Sequence, residues 1–179
     1  MRDRENARRL RAAAPSFVEC LAAEDPKLRE NCALGLAGYV TPPLSAERFS
    51  TIVAAASDPA WQVRRYAIQV LQQVDLPAQE TLDAVVAALE VEAHPDVVQS
   101  GLTAIQRHGT SSSRLIAFAV SRLSDVGRTN REDTISLLTV LGPQAAEALP
   151  ILRKVSQDPR ESDQIRQAAR QAIARIEDG

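Results

Sequence analysis

Lysine is almost missing from this chain, standing only at Lys27 and Lys154. Histidine stands only at His94 and His108, cysteine only at Cys20 and Cys32, and aromatics make up 3% of the 179 residues. Each shortage excludes something. A track for nucleic acid needs several cations on one surface. A formal charge of −2 and a pI near 5.7 give no global attraction to a phosphate backbone or an anionic membrane. Two cysteines make no disulfide framework, and no metal-type cysteine spacing is present. They flank the Asp25-Pro26 turn on antiparallel helices and read as two small reduced core residues, with a redox pair as the alternative. The two histidines stand at opposite ends of one predicted helix, about 20 Å apart at ~1.5 Å per residue, so they share no metal and form no pair. No run of 18 apolar residues marks a membrane span. The charged start, with Arg2, Arg4, Arg8, Arg9 and Arg11, leads into no apolar stretch of the secretory kind. Gly-rich phosphate loops and Gly-x-Ser-x-Gly elbows are absent, and the neighbours Glu132 and Asp133 point apart on a helix. The expectation is a cytoplasmic protein without catalytic residues, metal or cofactor.

What the chain does have is a phrase that recurs about every 34 residues. Its cleanest copy runs from Asp58-Pro59 through Val63-Arg64 and Ala67 to Leu71. Anchored on Val63-Arg64, the other copies fall at Leu28-Arg29, Val97-Val98, Asn130-Arg131 and Ile165-Arg166. A small residue follows four positions on (Cys32, Ala67, Gly101, Thr134, Ala169), and an apolar one eight positions on (Leu36, Leu71, Ile105, Leu138, Ile173). A period in the 20 to 50 range marks a stacked array whose units cannot bury their apolar faces alone.

Each repeat reads as two helices. The first helices are predicted at about 15–23, 45–56, 78–91, 113–123 and 144–157, and the second at 27–40, 60–74, 96–107, 129–141 and 162–177. Asp25-Pro26, Asp58-Pro59, His94-Pro95 and Asp158-Pro159 stand where a second helix begins, since proline suits a first helical turn and aspartate can cap it. The fourth repeat turns with Gly127 instead. Apolar stripes at helical spacing, Val63, Ala67, Val70, Leu71 and Val74 in repeat two and Leu82, Val85, Val86 and Leu89 in repeat three, agree with this. The expected fold is an all-α right-handed solenoid of about five helical hairpins. Residues 1–14 form a basic capping segment, and the repeats run 15–41, 42-75, 76–109, 110–142 and 143–179.

The pattern Asp-Pro…Val-Arg-x-x-Ala…Leu resembles the HEAT repeat, near the bacterial type found in bilin-lyase-related proteins. The resemblance spans roughly 12–177, and repeat two carries it best. Repeats three and four depart from it, because Val98 replaces the arginine and Asn130 the apolar anchor. It implies a scaffold or adaptor, not a particular activity.

Two sets of residues carry the functional expectation. Arg29, Arg64, Arg131 and Arg166 recur with the turn aspartates Asp25, Asp58, Asp125 and Asp158, and read as a structural ladder that sets repeat register. The second helices of such arrays line the concave side. There Arg65, Tyr66, Gln69, Gln99, Thr103, Gln106 and Arg107 form a polar, hydrogen-bonding centre suited to an extended peptide. Trp61, the only tryptophan, stands at the entry to a second helix, either as an interface anchor or as cover for the junction with repeat one. The reading is a non-catalytic module, monomeric or weakly self-associating, that binds another protein on the concave face or an edge. A nucleic-acid-binding or DNA-repair array and an accessory subunit of a bilin-lyase-like system are the alternatives. Membrane is not an expected partner.

Overall fold

The computed structural model describes residues 14–39, 45–73, 78–108, 113–125 and 130–178. The expected basic cap, the links at 41–43, 75–77 and 109–112 and the Gly127 turn lie outside them. All regular structure among the described residues is helical. The chain divides into two compact units, Met1–Ala104 and Ile105–Gly179.

The first unit begins with helical residues 14–20 (α1) and α2 (Pro26–Tyr39), followed by α3 (Ala46–Ala55) and α4 (Trp61–Leu71). Next come α5 (Ala78–Glu90) and the part of α6 (Pro95–His108) up to Ala104. α2 and α3 both pack on α4. The repeat grammar explains the burial. Val63, Ala67, Ile68, Val70 and Leu71 sink into the core, as do Leu82, Val85, Val86 and Leu89. The small position is needed because helices approach there: a Cβ on Gly101 would stand 2.6 Å from the Leu89 side chain.

The turn aspartates work differently from simple helix caps. Asp25 accepts the Lys27 N–H, and Asp58 that of Ala60, each two residues on, which are Asx turns. α4 therefore starts at Trp61, after Pro59, with no side-chain cap of its own. Two expectations fail in this unit. Leu28, an anchor position, is 48% exposed where its equivalents Val63 and Val97 are buried. Cys20 and Cys32 form a disulfide, because the turn at 21–25 folds the two helices back and brings their Cα atoms to 6.1 Å.

The second unit holds α7 (Ser113–Ser124), α8 (Arg131–Leu141), a 3-10 segment (Gly142–Ala148), α9 (Leu149–Gln157) and α10 (Asp163–Glu177). α10 packs on α8 and α9, and α7 on α8 and α9. Asn130 precedes α8 with φ 61° and ψ 30°. Asparagine tolerates this left-handed conformation and β-branched apolar residues do not, which explains the departure from the apolar anchor. Gly142 ends α8 at φ 54° and ψ −135°, a conformation that favours glycine.

The single helix expected at 144–157 is instead a 3-10 segment joined to α9, with Ala145 off helical geometry. Pro150 at the head of α9 has no N–H to give to the preceding turn. The stretch Arg131–Gln157 is apolar and long enough to cross a membrane by length and composition. It is broken at Gly142, buries Arg131 and packs Ile135, Leu137, Leu138, Leu141 and Leu152 inside this unit. α10 begins after Ser162, whose Oγ accepts the Ile165 N–H at 3.2 Å. Its exposed positions include Gln164, Gln167, Arg170 and Gln171, so its outer face is polar despite its alanines.

Candidate functional site

The repeat arginines form one device used four times. Each sends Nη1 to backbone carbonyls at the turn of its own repeat. Arg29 donates to Ala23 and Glu24 at 2.9 and 2.8 Å, and Arg64 to Asp58 and Pro59 at 2.9 and 3.0 Å. Arg131 donates to Leu123 and Asp125 at 3.0 and 2.7 Å, and Arg166 to Asp158 and Glu161 at 3.4 and 2.6 Å. The rest of the guanidinium then reaches a carboxylate. Arg29 meets Asp58 through Nε and Nη2 at 2.6 and 3.2 Å, and Arg64 meets Glu92 at 2.6 and 3.0 Å. Arg131 Nη2 lies 2.7 Å from Glu161 Oε1, an ion pair between two buried side chains. Arg166 pairs with Asp163 on its own helix.

The expected partners therefore change. The carboxylate belongs to the turn of the following repeat for Arg29, Arg64 and Arg131, and twice it is glutamate. Asp25 closes its own turn, Asp125 contributes its carbonyl, and the Asp158 side chain takes Arg160 at 3.0 and 2.7 Å. Glu92 and Glu161 were missed because they stand away from the Asp-Pro phrase. The signal was the glutamate near each turn: Glu92 two residues before His94, and Glu161 two after Pro159.

Electrostatics follow this geometry. The hydrogen bonds that Arg29 donates to Asp58 raise its pKa against the opposing effect of burial, and those that Arg64 donates to Glu92 do the same for Arg64. Burial works against the charge on Glu92, but Arg64 and the N–H groups of His94 and Ala93 outweigh it and lower its pKa. Arg160 holds Asp158 down at about 2. With four arginines engaged inside the repeats, they offer no basic track to a phosphate backbone.

The outward face of the second helices carries the other residues expected to bind a partner. In the first unit, Arg65, Tyr66 and Gln69 are half-buried on α4, while Gln99 and Thr103 are exposed on α6. The Arg65 guanidinium lies 5.9 Å from the Tyr66 ring centre, and its buried Nε has no hydrogen-bond partner. The Thr103 hydroxyl donates to the Gln99 carbonyl at 2.9 Å. Leu34 on α2 is 43% exposed. Gln106 and Arg107 fall in the other unit, the first half-buried and the second exposed. Trp61 stacks on His94, with ring centres 4.0 Å apart and planes within 9°. It stacks over the turn that follows its repeat.

The second unit carries a groove of about 250 Å³ between α8 and α10. Ile135, Ser136, Thr139 and Val140 line it from α8, with Glu132 at one end, and Ala168 and Gln171 line it from α10. A larger hollow of about 400 Å³ in the first unit lies between α1 and α3, among Pro15, Val18, Glu19, Glu47, Arg48 and Thr51. Its lining comes from the first helices and the turn after α1, and it was not foreseen. Among the described residues no three His, Cys, Asp or Glu side chains gather where they could hold a metal ion.

A family model of HEAT repeats matches residues 14–106, and the chain belongs to the HEAT-repeat family. No curated protein sequence matches it. Among solved structures it is similar to a computationally designed armadillo repeat protein for modular peptide recognition, with a TM-score of 0.63 and 14% identity over 92% of this chain and 82% of that one. It is also similar to a designed armadillo repeat protein in complex with the peptide (KR)4, with a TM-score of 0.62 and 15% identity over 96% and 86%. A third similarity is to the CpcE–CpcF phycocyanin lyase complex of Nostoc sp. PCC7120, with a TM-score of 0.63 and 18% identity over 93% of this chain and 65% of that one. At these identities the likeness establishes the fold, the all-α repeat-solenoid class that protein-binding scaffolds use.

Proposed function

We propose that this protein is a non-catalytic adaptor that binds an extended segment of another protein along the outward faces of its second helices. The observation that carries the reading is where apolar surface is left open. Of the four large apolar side chains exposed among the described residues, two stand on the outward row of second helices, Leu34 on α2 and Val140 on α8. They lie on helices that also present long hydrogen-bonding side chains, Gln69 and Gln171 among them, which suit a peptide backbone. The designed relatives that recognise peptides support the reading. The chain offers the lyase alternative no more than the shared fold.

The test is selection from a displayed library of random 12-residue peptides on the wild type and on Arg65→Glu. Peptides enriched on the wild type and lost on the variant, at equal helical content, support the proposal. Enrichment indifferent to the variant moves the site away from α4, and no enrichment at all contradicts peptide binding. Placement in the cytoplasm belongs to the same proposal. Reducing conditions there would hold Cys20 and Cys32 as thiols, so alkylation in intact cells supports it when both react and contradicts it when neither does.

A further inference from the structure

The groove between α8 and α10 has a chemical polarity that selects its occupant. Glu132 is the only charged side chain lining it. Gln164 donates from one Nε2 to both Glu132 oxygens, at 2.9 and 3.0 Å, so the carboxylate is fixed in place at the end of the groove where both helices begin. Among the described residues, the arginines in the first turns of these two helices are engaged elsewhere, Arg131 with Glu161 and Arg166 with Asp163. Beyond Glu132 the floor turns apolar. Ile135 is buried beneath it, Ala168 closes one wall, and Val140 stands 60% exposed at the far end. The hydroxyl of Thr139 already donates to the Ile135 carbonyl, leaving the Ser136 hydroxyl and the Gln171 amide along the sides to meet a backbone.

From these placements, and resting on the peptide-binding reading above, we infer that the groove takes an extended peptide with a basic side chain followed at two-residue intervals by two aliphatic ones. The spacing comes from matching two rises. Along α8, Ile135 and Ser136 lie about 4.5–6 Å past Glu132, and Val140 about 12 Å past it, at ~1.5 Å per residue. An extended chain advances about 6.6 Å per two residues, and alternate side chains share a face. A lysine or arginine on Glu132 therefore sets the next same-side residue over Ile135 and the one after it against Val140. The peptide reads basic-x-aliphatic-x-aliphatic when it runs with α8, and the reverse order when it runs against it.

Fluorescence anisotropy with the full chain tests this. The probes are fluorescein-labelled Gly-Lys-Ser-Val-Ser-Val-Gly and its reversed sequence, each with a glutamate-for-lysine and a serine-for-valine counterpart. At least one order binds, and each of its counterparts binds more weakly. Glu132→Gln weakens it about threefold, as an exposed ion pair should, and Glu132→Lys about tenfold, the loss shrinking at high salt. Ser136→Arg, which fills the groove from an exposed position, abolishes it. Equal binding of the lysine and glutamate probes overturns the inference, as does binding indifferent to both Glu132 variants and to Ser136→Arg. If no probe binds while display selection still returns ligands, this inference fails and the adaptor reading stands. If neither yields a ligand, both fail. A mass that doubles with concentration, and does so no longer in Ser136→Arg, would make a second copy the occupant and would also overturn it.

Discussion

Arg131 shows what a ladder position does at the scale of one residue. Its side chain is 5% exposed and that of Glu161 is 4% exposed. Two charges this deep cost several kcal/mol to desolvate and are held by each other and by the turn carbonyls. Removing one alone strands the other. Arg131→Met should cost about 3 kcal/mol or more in urea unfolding, and Arg131→Met with Glu161→Met should recover most of that loss. Equal losses for single and double variants would show that the arginine acts only through the carbonyls of Leu123 and Asp125. Asp158 carries a pH prediction. Its folded pKa of about 2 lies below the ordinary aspartate value of 3.8, so its contribution to stability is complete above that ordinary value. It is lost as pH falls towards 2. The urea midpoint of the wild type should drop through that window, and Asp158→Asn should flatten this part of the profile.

At the scale of the element, the repeat period located the helices, and the physics of turns decided the rest. Small and apolar positions such as Ala67, Leu71, Thr134 and Leu138 were legible because burial of one stripe demands them at helical spacing. Ladder partners were not legible, since a carboxylate reaching back from the next turn depends on folded geometry rather than on neighbours in sequence. The break at Gly142-Pro143 was legible, but the 3-10 turns from 144 to 148 were missed, because alanines carry helical propensity and only Pro150 argued against a helix there. Two glycines separate propensity from packing. Gly35 faces the Phe17 ring at 3.4–3.6 Å, ordinary contact, while Gly101 faces fully buried Leu89 at 2.6 Å. Gly35→Ala should stabilise by about 0.5–1 kcal/mol, and Gly101→Ala should destabilise by about 1–2 kcal/mol despite the same propensity gain. Thermal melts with shifts of the same sign would refute the close approach of α5 and α6.

At the scale of the molecule, the chain uses its arginines to tie repeats together and leaves polar and aliphatic side chains outward on the second helices. The candidate surface was legible only as residue types. Arg65, Tyr66 and Gln69 could be placed on one helix from the sequence, but the groove between α8 and α10 exists because two second helices, 32 residues apart at Glu132 and Gln164, lie side by side. The fold is shared with designed proteins that recognise peptides, and the proposal places such binding on the second helices of this chain. The direct measurement is a ¹⁵N–¹H correlation spectrum of the full chain titrated with a peptide from the display selection. The account predicts shifts gathered on outward second-helix positions within one unit, either Leu34, Arg65 and Gln69 in the first or Ser136 and Gln171 in the second, with α3 and α9 unmoved. Shifts gathered instead on Glu19, Glu47 and Arg48, in the hollow between the first helices, would contradict it.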